Sequence, residues 1–155
     1  MTGRKITERV FVEGTLILET PAHLGNGDAE ALTDMPLLRD AVNGKPLLCG
    51  TSIAGALRAH LRAYEHGHRG RERQGDRAEQ LFGTVRGHES MQSWLIVDDA
   101  LGESPGIELR DGVRLDPETR TAEDKKKYDI ELLQAGTIFP LSFELLLAED
   151  NDNET

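Results

Sequence analysis

The residues whose types and spacing suit them to chemistry lie between His23 and Arg62. Asp28, Asp34 and Asp40 punctuate a stretch that opens on Gly25 and Gly27. Carboxylates on a loop of this kind can take a proton or hold a divalent cation. The Asn43-Gly44 turn then brings in Lys45, and Thr51 and Ser52 open a helix with small residues, Ala54 and Gly55, in its first turns. Arg58 and Arg62 follow. Helix N-terminal N–H groups, small side chains and arginines together would let a phosphate approach closely. Asp34 is the sharpest single residue, because an acid before the Met35-Pro36 step has no packing reason to be there. Turn chemistry or a surface charge explains it as well.

Other constellations are weaker. His66 and His68 form an H-x-H pair, but a metal needs further ligands, and solvated surface histidines are the plainer reading. Cys49 with His23 or His60 as base is a conceivable nucleophile. A lone cysteine between Leu48 and Gly50 more often packs as a small apolar residue. Ser52 lacks a Gly-x-Ser-x-Gly elbow and reads better as a helix cap. Arg58, Arg62, Arg69, Arg71 and Arg73 make the most basic run, equally a phosphate-binding face or a solvated one. Lys125-Lys126-Lys127 reads as an exposed loop tip.

The elements that must position these residues follow from periodicity. Arg9–Thr20 alternates, with Val10, Val12, Leu16 and Leu18 on one face, as a half-buried strand with Gly14 at a possible bulge. Asp34–Asp40 reads as an edge or extended segment, since Pro36 disfavours a central strand. Ile53, Leu57, Leu61 and Tyr64 recur at helical spacing after a Thr51 or Ser52 cap, with Arg58, Arg62 and Glu65 opposite. That helix ends near Gly67. Asp76 opens a short second helix that stops at Gly83. Ser93–Ala100 and Pro140–Ala148 are strands. Between them, residues 107–139 form a hairpin-like excursion whose polar tip spans Pro117 to Lys127.

The chain has 155 residues, 37% hydrophobic and 30% charged, which suits one domain with a modest core. One cysteine permits no internal disulfide, and a reducing cytoplasm is the expected compartment. No stretch reaches the ~18 apolar residues of a membrane span. The net charge of −10 argues against nucleic acid only until it is divided. Residues 1–90 carry 12 basic and 12 acidic side chains, and residues 91–155 carry 6 and 16. Local potential, not the total, decides what a surface attracts. The acidic residues 149–155 are expected to form a disordered tail.

The ordered series LETPAHLGNGD, TDMPLLRD, GKPLLCGTSIAGALRAHLR, LFG, a strand ending in Asp99-Ala100, and ELRDGVRLDPETRTAEDKKKYDIELLQAGTIFPLSFEL resembles the RAMP superfamily. More narrowly it resembles the backbone subunits of type III CRISPR RNA-guided effector complexes. The resemblance runs from about Val10 to Leu147. It implies an α+β, modified RNA-recognition (ferredoxin-like) fold over residues 1–148, with a long thumb hairpin at about 107–139. The usual last helix and strand have no counterpart after Leu147, so the expectation is that a second chain or a neighbouring subunit completes the fold, or that this is a split or truncated form.

The resemblance also implies roles. His23, Gly25, Gly27, Lys45, Thr51, Ser52, Gly55, Arg58 and Arg62 correspond to the surface that holds the guide (crRNA) backbone. Arg110, Asp111, Val113, Arg114 and Thr121 belong to the thumb, which wedges into the guide–target duplex and displaces a nucleotide. Asp34 falls where catalytic members carry the aspartate that cuts target RNA, leaving a 2′,3′-cyclic phosphate. It would take the 2′-OH proton itself or hold Mg²⁺ or another divalent cation, with Asp28 and Asp40 as nearby alternatives. Expected partners are crRNA, target RNA and other effector subunits, with no membrane. Two rival readings stand beside this one: a non-catalytic scaffold that binds crRNA and neighbours, and a guide-processing endoribonuclease that leans on His23.

Overall fold

A computed structural model describes residues 5–27, 34–86, 89–115 and 122–148. Asp28, Thr121 and the acidic tail lie outside the described residues. In chain order the elements are β1 (Ile6–Ile17), β2 (Leu47–Leu48), α1 (Gly50–His66), α2 (Arg77–Phe82), β3 (Thr84–Arg86), β4 (Glu89–Met91), β5 (Leu95–Val97), β6 (Ala100–Leu101), β7 (Ile107–Leu115), β8 (Ala122–Leu133) and β9 (Ile138–Ala148). Two compact units divide the chain. One comprises residues 1–14, 49–99 and 141–155, and the other residues 15–48 and 100–140. β1 and β9 contribute residues to both.

In the first unit, β9 is the middle strand of the sheet β1-β9-β5. It runs antiparallel to β5, with Leu145 opposite Leu95 and Phe143 opposite Val97. Arg9 Nη1 donates to Glu144 Oε1 at 2.9 Å across β1 and β9. The expected alternation of β1 holds for Val10, which is half-buried, but not for Val12, which is 54% exposed. The helix α1 packs on β5, at the opposite edge of the sheet, which fits Val12 remaining in contact with water.

The start of α1 differs from expectation. Thr51 and Ser52 are exposed, and no side chain at the N-cap position, Cys49, caps the helix. The cap oxygen comes from a distant residue: Gly50 N–H donates to Asp99 Oδ1 at 2.7 Å. A carboxylate here satisfies one of the free N–H groups and complements the helix dipole. The site demands glycine, because a Cβ on residue 50 would overlap the Val97 carbonyl.

The apolar stripe of α1 is also shorter than the spacing predicts. Ile53 and Leu61 are half-buried, but Tyr64 is 79% exposed. Instead Arg58, Arg62 and Glu65 are half-buried, because the segment from Gly67 to Asp76 folds back on that side and brings Glu72 to Arg58. The helix ends are as expected, with Gly67 and Gly83 at φ +78° and +74° stopping α1 and α2. A short β3–β4 hairpin, pairing Thr84 with Met91, follows α2. It was not legible beforehand.

The second unit is built on the β7–β8 hairpin. Its register runs from Ile107 opposite Leu133 to Leu115 opposite Ala122, with an irregularity between Val113 and Leu115. The expected hairpin is therefore present, but Lys125–Lys127 lie on β8 rather than in the tip. Cross-strand pairing, such as Val113 with Lys127, overrides the low strand propensity of a charged run. Leu37, Ala100, Leu132, Leu133 and Phe139 form the buried core. Thr137 is buried with them, its hydroxyl donating to the Gln134 carbonyl at 2.7 Å and bonded to Ser104 Oγ at 2.8 Å.

Candidate nucleic-acid interface

Asp34 sits in the second unit, exposed, beside β8 about midway along the hairpin arms, where Asp129 pairs with Asp111. Its Oδ2 accepts the Asp129 N–H of β8 at 3.0 Å. The next residue pairs with the same strand: Met35 N–H donates to the Asp129 carbonyl at 3.0 Å, and Glu131 N–H donates to the Met35 carbonyl at 3.1 Å. This short parallel bridge explains why Asp34 precedes an apolar dipeptide. Met35 bridges β8 and Leu37 bridges Gly25 as isolated pairs, and Asp34 tethers the start of this extended segment. One carboxylate oxygen is thus held by backbone, and Asp34 Oδ1 makes no hydrogen bond among the described residues.

The Asp129 carboxyl stands between two others, feeling the charge of Asp34 and that of Asp111. Asp111 stands directly opposite Asp129 in the hairpin register. Desolvation raises the Asp129 pKa, helped by the charge and hydrogen bond of Asp111 and by the charge of Asp34. Like charges at one spot favour keeping a proton. Hard oxygen donors that repel one another also suit Mg²⁺, whose charge would relieve the repulsion. Sequence reasoning placed Asp111 in the thumb without its partner. Asp129 was missed, although the alternation of Asp129 and Glu131 in YDIELL was its signal.

Glu131 is the second missed residue. Its Oε2 accepts the Leu37 N–H at 3.0 Å and lies 3.5 Å from Arg39 Nη2. Its carbonyl meets His23 Nδ1 at 2.8 Å. Glu131 therefore fixes both the Asp34 segment and the histidine. Because a carbonyl only accepts, Nδ1 is the donor in this contact. The ring lies against Gly25, where a Cβ would overlap it. Gly27 is exposed at φ +75°. Asp40 is structural, since its Oδ2 accepts the Val42 and Asn43 N–H groups of the turn. Lys45 Nζ pairs with Glu103 Oε1 at 2.6 Å and holds that carboxyl below its ordinary pKa. Together with Arg39, Lys45 lines an open cleft of about 360 Å³. Arg110 is paired with Glu108 at 2.8 Å, and Val113 is 39% exposed. Arg114 is described only as backbone.

In the first unit, Thr51, Gly55 and Arg58 are brought together. They line an open cleft of about 330 Å³, with Phe82, Ser93 and Leu95 among its walls. Ser52 is exposed and does not line it. The Arg58 guanidinium faces the Glu72 carboxylate through two hydrogen bonds, one of 2.9 Å from Nε. That pair raises the Arg58 pKa and lowers that of Glu72. Arg62 does not line the cleft, and its Nε is buried without a hydrogen-bond partner among the described residues. Cys49 is half-buried, and its carbonyl accepts the Ser52 and Ile53 N–H groups. His66 is not the solvated residue expected, because its Nε2 lies 2.6 Å from Asp76 Oδ2.

With a mixed α and β architecture of antiparallel sheets in hand, the comparisons place the chain. The sequence model of the RAMP superfamily matches residues 15–155, so the chain belongs to that superfamily. Among solved structures, one chain of the type III-B Cmr-beta cryo-EM structure bound to cognate target RNA superposes with a TM-score of 0.67 at 14% identity. The match covers 88% of this chain and 46% of that one, so this chain spans about half the length of its structural neighbour. No curated protein sequence matches. Among the described residues, no helix is long and apolar enough to cross a membrane.

Proposed function

We propose that the chain is a subunit of a type III CRISPR ribonucleoprotein that binds the crRNA backbone and cuts complementary target RNA through Asp34. The observation that carries this reading is the attachment of the Asp34 carboxylate to Asp129, on the arm of the hairpin in a RAMP-superfamily chain. A hairpin that wedges into a guide–target duplex would unstack a target nucleotide. Unstacking frees the ribose 2′-OH to align in line with its own phosphate. A carboxylate fixed beside the arm of that wedge would be positioned to take the 2′-OH proton.

In this reading Asp34 removes the 2′-OH proton as the 2′-oxygen attacks phosphorus and the bond to the 5′-oxygen breaks. Asp129, which holds a proton more readily than an ordinary aspartate, returns one to the leaving 5′-oxygen. In the alternative arrangement, Mg²⁺ held by Asp34 with Asp111 or Asp129 would supply charge to the non-bridging phosphate oxygens, and Asp34 would then act through the ion rather than as the base itself. In the first unit, the cleft of Thr51, Gly55 and Arg58 binds the guide backbone, with the ring of Phe82 available to a base. Partner subunits, including one that completes the fold, belong to the same proposal.

The test is reconstitution of the particle with crRNA, a complementary target and the Asp34→Ala chain. Loss of cleavage with crRNA retained is the expected result. Cleavage at every site, unchanged, would remove Asp34 from the reaction and leave the scaffold reading. Guide maturation lost with His23→Ala would favour the processing reading.

A further inference from the structure

A second cluster, in the first unit, has no part in the chemistry above. It joins the last turn of α1 to the start of α2. Glu65, His66 and Asp76 each offer a ligand atom, and these atoms all lie within 4.8 Å of one another. His66 Nε2 and Asp76 Oδ2 are 2.6 Å apart, and each of their side chains is only 15% exposed. Glu65 Oε2 is buried and makes no hydrogen bond among the described residues. Its other oxygen is 3.9 Å from Arg77 Nε, a loose contact to a side chain that is 76% exposed. A half-used buried carboxylate beside an imidazole and a second carboxylate is an arrangement that a cation would complete.

We propose that Glu65, His66 and Asp76 form a binding site for a borderline divalent cation, of which Zn²⁺ is the best fit. One imidazole nitrogen and two carboxylate oxygens suit Zn²⁺ or Mn²⁺ better than Mg²⁺ or Ca²⁺, which take all-oxygen shells. Two ligands of one tetrahedral Zn²⁺ at ~2.0–2.1 Å stand roughly 3.3 Å apart, so His66 and Asp76 must separate by about 0.7 Å to admit the ion. His66 then presents a bare Nε2, with its proton on Nδ1. Glu65 turns from Arg77 to the metal, and Arg77 has open solvent to move into. A water fills the fourth position. Asp76 keeps its hydrogen bond from the Arg73 N–H at 2.6 Å, which orients the ligand from outside the metal shell.

The geometry makes the site a clasp. Glu65 and His66 precede the loop that begins at Gly67, and Asp76 ends it. The loop carries Arg69, Arg71 and Arg73, so the ion would fix the most basic segment of the chain between two helices. Neighbouring charges are mixed. Glu72 is committed to Arg58, and Glu79 Oε2 accepts the Gly75 N–H at 2.6 Å. Neither of these carboxylates is drawn on by the three ligands, whose own contacts are with one another, the Arg73 N–H and Arg77.

The experiment titrates ZnCl₂ into the metal-free 155-residue chain by calorimetry and records zinc X-ray absorption on the loaded protein. One site per chain is expected, with a single imidazole and oxygen ligands in the first shell. His66→Ala and Glu65→Gln should each weaken binding at least tenfold, whereas His68→Ala, two residues away and exposed, should leave it unchanged. Glu65→Gln keeps the shape of the side chain, so the test survives if His66→Ala misfolds. The proposal is overturned if no site saturates by 100-fold molar excess of Zn²⁺. It is equally overturned if binding is indifferent to Glu65→Gln, or if His68→Ala removes it.

Discussion

Asp34 illustrates how one residue can be both structural and chemical. Its Oδ2 takes the Asp129 N–H, and this alone would justify an acid before Met35. Asp34→Asn keeps an acceptor for that N–H but removes the charge and the base. It should therefore preserve the contact with the hairpin arm while lowering target cleavage by roughly 10²–10⁴-fold, the usual worth of a positioned general base. Asp129 gives a prediction of opposite sign to the usual acid. Its pKa is raised above the ordinary 3.8, so the folded state binds that proton more tightly than the unfolded chain does. Its contribution to stability is best below pH 3.8 and deteriorates as pH rises through the raised value. Asp129→Asn should hence raise the apparent melting temperature at pH 7, with the difference vanishing at acid pH. A variant that is less stable at pH 7 would show that the Asp111–Asp129 pair is not repulsive.

At the scale of elements, the boundaries set by local chemistry were legible and those set by distant partners were not. Gly67 and Gly83 stop their helices at positive φ, and the Asp76-to-Phe82 helix stands where its residues put it. The hairpin arms were readable from alternation. The cap of α1 was not, because its oxygen belongs to Asp99, forty-nine residues away. Nor was the inward turn of Arg58, which depends on Glu72 folding back. Asp34 could be singled out from its setting, but its anchor Asp129 lies ninety-five residues on. The Asp99 cap predicts a local effect. Asp99→Ala should cost about 1 kcal/mol at the first turn of α1, seen as about fivefold faster amide hydrogen exchange there, with Asp99→Asn largely restoring protection. Gly50→Ala should be worse, roughly 1–3 kcal/mol, because the Val97 carbonyl cannot move without β5.

At the scale of the whole molecule, the described core is thin and distributed over two units. Leu37, Leu132, Leu133 and Phe139 serve one, while Ala78 is the buried apolar side chain of the other. Phe11 and Ile17 on β1 are 64% and 57% exposed. Such a chain is expected to melt broadly or to self-associate when isolated. A single cooperative transition of the monomer by calorimetry would contradict that expectation. Partners that cover these side chains would supply the missing burial, at about 25 cal/mol per Å² of apolar surface. The central claim, that Asp34 cuts target RNA in an assembled particle, is tested most directly by a cleavage map. An end-labelled target is incubated with particles containing the wild-type or the Asp34→Asn chain, and every product end is identified. The account predicts 2′,3′-cyclic phosphate ends with wild type, and loss of those same cuts with Asp34→Asn while crRNA and target stay bound. An identical set of cuts at undiminished rate would contradict it.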